Sequence, residues 1–324
     1  MKHLVTAATL AAGTAIAAPA MAQDILRFGH VGNPGSLFEA SVDNFAACVN
    51  DATDTVQVET FGSSQLGRDQ ELLQKLKLNQ VNFALPSSVM SSVDDVFGIF
   101  EMPYIIKDRD HMRRVQAEMM DTFQGAANDN GYHIVGLAEN GFRNITNNTR
   151  PINVPGDLEG IKLRTPNGAW RVKMFQEYGA NPTPMSFSDV FTALQTGVID
   201  GQENPYAQIA SAKFQEVQKY LSVTGHVYTP AYILTSQRQW DSWPDEVKAT
   251  LSDCAASTQD FTYEKAAQLE EELLQVIIDA GVEVNEADKD AFIEASKPIY
   301  EAFGSEVEGG ADMIDAVLGL GSSS

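Results

Sequence analysis

The stretch DILRFGHVGNPGSLFEASVDNFAACVN, residues 24–50, establishes the type of fold at the start of the chain. Residues 24–31 have the composition of a strand, and the turn-forming sequence GNPG at 32–35 ends it. Ser36 can cap the helix that follows, and Glu39 three residues later can complete a capping box. The sequence therefore predicts a strand followed by a capped helix.

Elements of the same kind continue beyond this helix. Residues 55–61 alternate in polarity like a strand, residues 68–78 are helical, and residues 81–85 form a third strand that Pro86 ends. Parallel strands need crossover connections, so this β-α-β-α-β order predicts an α/β fold with a parallel sheet.

A second α/β unit follows in the middle of the chain. Strands are expected at 132–139, 161–164 and 198–200, the last of them ending at a turn at Gly201, and helices at 167–178 and 186–195. Gly141, the neighbouring asparagines and Pro151 predict a domain boundary near residues 140–150.

The C-terminal third has a different pattern. Between Pro244 and Pro298 the only glycine is Gly281, so residues 245–280 contain no helix breaker. Apolar residues at helical spacing predict one helix of about 36 residues, about 54 Å long. Such a helix exceeds one small domain, so it either spans two domains or is kinked.

The composition excludes several classes of function. The chain has 324 residues, 22 Lys+Arg and 44 Asp+Glu, for a formal net charge of −22. The length favours two domains, and the 44% hydrophobic share is that of a globular protein. The strong acidity argues against binding to nucleic acid or to anionic lipid.

Residues 1–22 have the features of a secretory signal peptide. Lys2 supplies a basic start, residues 4–18 are apolar but too short for a membrane span, and residues 20–22 match the small-x-small cleavage pattern. We expect the mature protein to begin near Gln23, outside the cytoplasm, and not to insert into the membrane.

The sequence contains no motif for catalysis, metal or nucleotide binding. The five histidines do not form HExxH, and GxSxG, P-loop and GxGxxG motifs are absent. We therefore expect no catalytic residue, metal or cofactor. Cys48 and Cys254 each lie on or beside an apolar helical stripe, and they are either two buried thiols or, in an oxidising compartment, one disulfide.

Three arginines are candidates for holding a small anion. Arg164 ends the strand 161–164, and open α/β sheets bind ligands at the carboxyl ends of their strands. Arg143 lies at the predicted domain boundary, and Arg68 opens a helix after a glycine turn. A guanidinium group grips a carboxylate through two parallel hydrogen bonds. The competing interpretation of each is a surface ion pair.

Several longer segments carry a more specific resemblance. They are NPTPMSFSDVFTALQTGVIDGQENP at 181–205, GIKLRTP at 160–166, QKYLSVTGHVYTP at 218–230, FGSSQLGRDQELLQKLK at 61–77, FEMPYIIKDRDHM at 100–112 and GFRNITNNTRPI at 141–152. In this order they resemble the solute-binding proteins of TRAP (tripartite ATP-independent periplasmic) transporters, the DctP family, over nearly the whole mature chain.

The resemblance implies a periplasmic solute-binding protein with two α/β domains. Each domain has a mixed or parallel sheet flanked by helices, and a long C-terminal helix spans both. We expect residues 23–141 with about 230–268 to form domain I, and residues 142–229 with about 269–324 to form domain II. We also expect a monomer.

The resemblance also implies where the ligand is held. It puts the principal carboxylate-binding arginine at Arg164, a second basic contact at Arg143 and an amide contact at Asn204. It puts an aromatic contact at Phe187, for which simple core packing is the competing interpretation. Further candidate contacts are Arg68, Ser87, Trp170, Asn33 and Ser36.

Departures from the family's patterns bear on the ligand. Ser87 and Met90 stand where sialic-acid binders have an acidic residue and an arginine, and Arg68 stands where they have an acid, which disfavours a nine-carbon sugar acid. QENP at 202–205 replaces the doubled asparagine of uronate binders, which weakens a uronate. The identity of the acid stays open, but three arginines would suit a compact acid with a second polar or anionic group.

The function implied is capture of a small organic acid between two closing domains, for uptake by a TRAP membrane permease driven by an ion gradient. Two other functions remain open. The protein can be a secreted α/β enzyme acting on such an acid, or the binding protein of an ATP-driven importer or sensor.

Overall fold

The computed structural model describes residues 24–322, so the predicted signal peptide, residues 1–22, lies outside the described residues. Within the described range the chain forms one mixed sheet of nine strands. The strands are β1 (Asp24–Gly29), β2 (Val56–Phe61), β3 (Phe83–Ala84), β4 (Tyr132–Asn147), β5 (Lys162–Thr165), β6 (Asn181–Pro184), β7 (Gly201–Asn204), β8 (Tyr220–Ser236) and β9 (Glu283–Glu286).

Helices connect these strands and flank the sheet, so the α/β class is confirmed. They are α1 (Leu37–Ala52), α2 (Asp69–Lys77), α3 (Arg109–Asp129), α4 (Ala169–Glu177), α5 (Val190–Gln195), α6 (Tyr206–Ser211), α7 (Gln237–Ser242), α8 (Asp245–Asp279), α9 (Lys289–Ala295), α10 (Lys297–Glu306) and α11 (Gly310–Leu320). Among residues 24–322, none of the helices is both long enough and apolar enough to cross a membrane.

The strand order is β2-β1-β3-β8-β4-β7-β5-β6, and β9 pairs with β8. β1 pairs in parallel with β2 and β3, and β5 pairs in parallel with β6 and β7. We call these two groups the β1 end and the β5 end of the sheet. β4 and β8, with 16 and 17 residues, pair antiparallel along most of their length and join both ends into one sheet, where we expected one sheet in each domain.

No loop separates the two ends of the sheet at residues 140–147, because β4 continues through them. Gly141 has a φ of +112°, and the pairing of β4 with β8 shifts register between Glu139 and Gly141. A glycine adopts this conformation without a steric penalty, so it makes a bulge inside the strand rather than an end to it.

The strand predicted at 198–200 is misplaced, since β7 begins at Gly201. A Cβ atom at Gly201 would collide with the backbone carbonyl of Thr146 on β4. Gly201 is therefore needed for close strand pairing, not for a turn.

The first helix begins as the sequence predicts. The Ser36 hydroxyl accepts a hydrogen bond from the Glu39 amide at 3.1 Å, and the Glu39 carboxylate accepts one from the Gly35 amide at 2.7 Å. These bonds satisfy backbone donors that have no partner inside the helix. The buried face of α1 includes Phe38 and Phe45, and Phe45 packs edge-on against Phe28 of β1 with ring centroids 5.7 Å apart.

The long helix α8 is confirmed at 35 residues and takes part in two separate hydrophobic clusters. Its first half packs with α1 and β1 in one hydrophobic cluster, through residues such as Leu251 and Ala255. Its last turns contribute Ile277 to a separate cluster with α5 and α6. The helix therefore spans the molecule, as the sequence length indicates.

Cys48 of α1 and Cys254 of α8 form a disulfide, which decides between the two alternatives that the sequence leaves open. The bond links residues 206 positions apart in the chain. A crosslink that closes so long a loop restricts the unfolded chain strongly.

Replacing both cysteines by serine (Cys48→Ser with Cys254→Ser) should lower the free energy of unfolding by about 2–5 kcal/mol. Urea denaturation at pH 7 measures the loss. A reductant should lower the free energy of unfolding of the wild type by the same amount and leave that of the variant unchanged. Equal unfolding midpoints for the wild type and the variant would contradict the disulfide.

Candidate functional site

A cavity of about 50 Å³ lies between the β1 end and the β5 end of the sheet. Backbone elements from both ends build its wall: the segments after β1 and β3, the first turn of α2, the ends of β5 and β7, and the middle of β4. Five of the sequence-predicted residues line it, namely Arg143, Arg164, Asn204, Phe187 and Ser87.

Arg164 supplies a positive charge that no nearby carboxylate neutralises directly. Its side chain is 4% exposed, and its Nε and Nη2 donate to the Met185 carbonyl oxygen at 3.0 and 2.8 Å. Within the described part of the chain no carboxylate oxygen lies within 4 Å of it. Burial lowers the pKa of Arg164 to about 10, so it remains a cation at neutral pH. These bonds leave Nη1 available for a ligand.

Arg143 also lines the cavity, but a carboxylate holds it in place. Its Nε and Nη2 donate to the two carboxylate oxygens of Glu203 at 2.5 and 2.9 Å, and Nη2 donates to the Glu203 carbonyl oxygen at 2.6 Å. This two-point pairing fixes the plane of the guanidinium group. Arg143 therefore contributes a rigid donor edge with little net charge.

Glu203 is the centre of a buried charge cluster behind the cavity wall. Besides Arg143, it accepts a hydrogen bond from Arg171 at 2.6 Å, and His226 lies 3.2 Å away. Burial alone would raise the pKa of Glu203, but Arg143 and Arg171 lower it well below its ordinary value. Burial lowers the pKa of His226, so at neutral pH the imidazole is uncharged. Arg171 also pairs with Glu101 at 2.6 Å.

A chain of buried hydrogen bonds sets the orientation of Asn204. Its Nδ2 donates to Gln202 at 2.6 Å, and the Gln202 amide donates to the Thr146 hydroxyl at 2.9 Å. That hydroxyl donates to Gln218 at 2.9 Å, whose own amide donates to the Val217 carbonyl at 3.1 Å. Because a backbone acceptor ends the chain, Asn204 presents Oδ1 and one remaining Nδ2 hydrogen to its surroundings.

Ser87 and Phe187 complete the wall in different ways. The Ser87 hydroxyl donates to the Pro230 carbonyl at 2.7 Å and accepts from the Asn140 amide at 3.2 Å, so it also anchors Asn140. Phe187 packs edge-on against Phe214 with centroids 5.7 Å apart and gives part of its surface to the cavity. Phe187 therefore serves both as core and as an apolar wall.

Four predicted contacts lie outside the cavity lining. Arg68 points to Asp189 at 2.8 Å, with both side chains nearly half exposed. Trp170 donates to Asp95 at 3.2 Å and packs on Phe303, because the first turn of α4 directs it into the core.

The other two, Ser36 and Asn33, serve local backbone structure. The hydroxyl of Ser36 caps α1, and the carbonyl of Asn33 accepts a hydrogen bond from the Ser36 amide at 3.0 Å.

The structure adds cavity residues that were not predicted from the sequence as ligand contacts. Asp69, the first residue of α2, lines the cavity beside Arg68, and burial raises its pKa to about 6 against the pull of Arg164. Gln208 and Asn140 also line it. A weak signal for Asp69 was present, because it directly follows the predicted anion contact Arg68.

No group of three or more His, Cys, Asp or Glu residues is arranged to hold a metal ion in the stretch from 24 to 322. The cavity wall offers hydrogen-bond donors and acceptors, together with the guanidinium cation of Arg164, which pairs with no carboxylate of the described residues. A fold of this kind with such a cavity defines a binding protein for a small anion.

The comparisons with known proteins agree. The chain matches the family described as bacterial extracellular solute-binding protein, family 7 (DctP), over residues 28–306. It is 32% identical to the C4-dicarboxylate-binding periplasmic protein DctP of Rhodobacter capsulatus, over 94% of this chain and 93% of that one. It is 29% identical to the 2,3-diketo-L-gulonate-binding periplasmic protein YiaO of Escherichia coli, over 97% of each.

Among solved structures, a TRAP periplasmic solute-binding protein from Polaromonas sp. JS666, bound to D-erythronate, superimposes with a TM-score of 0.89. It is 30% identical, and the match covers 93% of this chain and 100% of that one. The chain belongs to the DctP family of TRAP solute-binding proteins.

Replacing Glu203 by glutamine keeps the side-chain shape but leaves Arg143 and Arg171 without their shared carboxylate. We expect the free energy of unfolding at pH 7 to fall by about 3–5 kcal/mol, measured by urea denaturation. Glu216→Gln removes a surface carboxylate and should change it by no more than about 0.5 kcal/mol.

The same variant should also change the pH dependence of stability. The folded-state pKa of Glu203 lies below its ordinary value of 4.5, so its stabilisation is complete above that pH and is lost as the pH falls below it. The wild type should therefore lose more stability in acid than Glu203→Gln does. Parallel pH profiles would contradict this role.

Proposed function

We propose that this cavity captures one small organic acid anion outside the cytoplasm and that the loaded protein delivers it to a TRAP membrane permease. The observation that carries the proposal is Arg164, a buried guanidinium whose Nη1 is free and which lines the cavity between the two ends of the sheet. A buried cation without a direct counter-ion is costly, and a ligand carboxylate would supply the missing partner.

The size of the cavity favours a compact ligand. At about 50 Å³ it is better matched to a short acid than to a nine-carbon sugar acid. The relatives are named for, or bound to, a C4-dicarboxylate, 2,3-diketo-L-gulonate and D-erythronate. These compounds differ in length and oxidation state and share a carboxylate, which is the group that we assign to Arg164.

We propose that binding is coupled to closure of two domains, residues 23–141 with about 230–268 and residues 142–229 with about 269–324. The cavity wall draws residues from both parts, so a ligand that contacts both stabilises the closed arrangement by its differential affinity. The protein would act as a periplasmic monomer that binds its ligand without altering it.

Arg164→Ala should weaken ligand binding by about 2–5 kcal/mol, which is at least about thirtyfold in Kd. C4-dicarboxylates, D-erythronate and diketogulonate are first titrated into the wild type by isothermal titration calorimetry. The Kd of the variant is then measured with each acid that binds the wild type. Arg238→Ala, at an exposed position on α7, is the matched control and should leave Kd unchanged.

Two outcomes would contradict the assignment of Arg164 as the contact to the ligand carboxylate. One is unaltered affinity in Arg164→Ala. The other is a wild-type protein that binds no organic acid with better than roughly millimolar affinity.

The exposed pair Arg68–Asp189 joins the two ends of the sheet beside the cavity. An ion pair of this exposure contributes up to about 1 kcal/mol, so Arg68→Ala should weaken binding no more than about fivefold, and less at high salt. Exchanging the charges with Arg68→Asp and Asp189→Arg together should restore affinity that either change alone reduces. A loss as large as that of Arg164→Ala would instead make Arg68 a ligand contact.

A further inference from the structure

The cavity presents hydrogen-bond acceptors as well as a cation. Asp69 lines it, and no side chain or amide from another of residues 24–322 donates a hydrogen bond to its carboxylate. Gln208 lines it too, with a buried Oε1 that has no hydrogen-bond partner within the described residues. The Nε2 of Gln208 faces Asn140 Oδ1 at 3.4 Å, which leaves Oε1 as its free atom.

A buried acceptor without a partner, such as Gln208 Oε1, is costly, and Asp69 adds a partly exposed carboxylate at the same cavity, so a ligand that fills the cavity should bring donors to both. A carboxylate is an acceptor only and can satisfy neither Asp69 nor Gln208. Hydroxyl groups can satisfy both, because each carries a donor hydrogen.

The charges around the cavity lead to the same conclusion. Arg143 is already paired with Glu203, and Arg68 turns away to Asp189. Arg164 is therefore the cation left for a ligand carboxylate, and Asp69, which lines the same cavity, is a negative charge close enough to interact with it. A second ligand carboxylate near Asp69 would be repelled. A ligand ammonium group would be attracted by Asp69 and repelled by Arg164, so its two charge interactions oppose each other.

We infer that the ligand is a hydroxylated monocarboxylate, with its carboxylate on Arg164 and a hydroxyl group donating to Asp69, and that Asp69 excludes dicarboxylates. This inference rests on the proposed function and narrows its ligand class. Of the second polar or anionic group that three arginines would suit, it selects a polar one, because Arg68 lies outside the cavity lining.

Four-carbon acids that differ only in their substituents test the inference. The probes are L-threonate, 4-hydroxybutyrate, succinate, 4-aminobutyrate and butyrate, titrated into the mature protein by calorimetry at pH 8, where the Asp69 carboxylate is ionised. We expect the better of the two hydroxylated acids to bind at least tenfold more tightly than succinate, 4-aminobutyrate and butyrate.

Asp69→Asn then separates specificity from general binding. This substitution should weaken binding of the hydroxylated acid about tenfold and strengthen binding of succinate, so the ratio of the two affinities should fall or reverse. Asp110→Asn is the matched control, because Asp110 is an exposed aspartate in the first turn of α3, and it should change neither affinity. Thermal unfolding of each variant without ligand checks that the fold is intact.

The failures can be distinguished. If succinate or 4-aminobutyrate binds the wild type more tightly than both hydroxylated acids, the inference is overturned and the proposed function stands. An unchanged preference in folded Asp69→Asn would also overturn it. If no carboxylate binds at all, the proposed function fails and the inference fails with it.

Discussion

Glu203 is completely buried, and its carboxylate neutralises two guanidinium groups at once, those of Arg143 and Arg171. Three arginines converge on this region, and without that carboxylate their mutual repulsion would make the region unstable. Because Glu203 pairs with two of them, the third, Arg164, keeps its charge available next to the cavity. The anion binding that we propose thus depends on Glu203, whose carboxylate lies behind the cavity wall and pairs with Arg143 and Arg171.

The continuous sheet constrains how the two ends can move. β4 and β8 pair with each other along most of their length, and α8 packs with β1 in one hydrophobic cluster and with α5 and α6 in another. A rigid connection of this kind allows bending more readily than sliding. The pairing of β4 and β8 shifts register between Glu139 and Gly141 and again between Arg143 and Ile145. These irregularities lie beside the cavity, where a hinge for the proposed closure would be most useful.

The regular part of the fold could be predicted because its signals are local. The helix cap at Ser36, the alternation in β2 and the absence of breakers in α8 each depend on a few neighbouring residues. Gly141 and Gly201 were misinterpreted as breaks because a glycine in a turn and a glycine at a bulge or a close strand contact look the same in sequence. Only the pairing partner distinguishes them.

The candidate site could be predicted in part, for a related reason. Arg164 and Asn204 lie in the last two residues of β5 and β7, and the carboxyl ends of parallel strands meet at one edge of the sheet. Arg68 and Asp69 are adjacent where α2 begins, but Arg68 is the extended residue before the helix and pairs with Asp189, whereas Asp69 is the first helical residue and lines the cavity. Trp170, in the first turn of α4, lies on the helix face that packs into the core. Helical phase relative to a distant cavity is a tertiary property that a single sequence does not contain.

The most direct measurement is a crystal structure of the mature protein with a bound organic acid. We expect one carboxylate in the cavity between the two ends of the sheet, with an oxygen about 2.7–3.2 Å from the guanidinium of Arg164. A ligand carboxylate held elsewhere would contradict it. One such place is the larger cavity of about 460 Å³ beneath α8. A structure in which the ligand lies in that cavity and Arg164 pairs with a protein carboxylate would rule out the proposed role of Arg164.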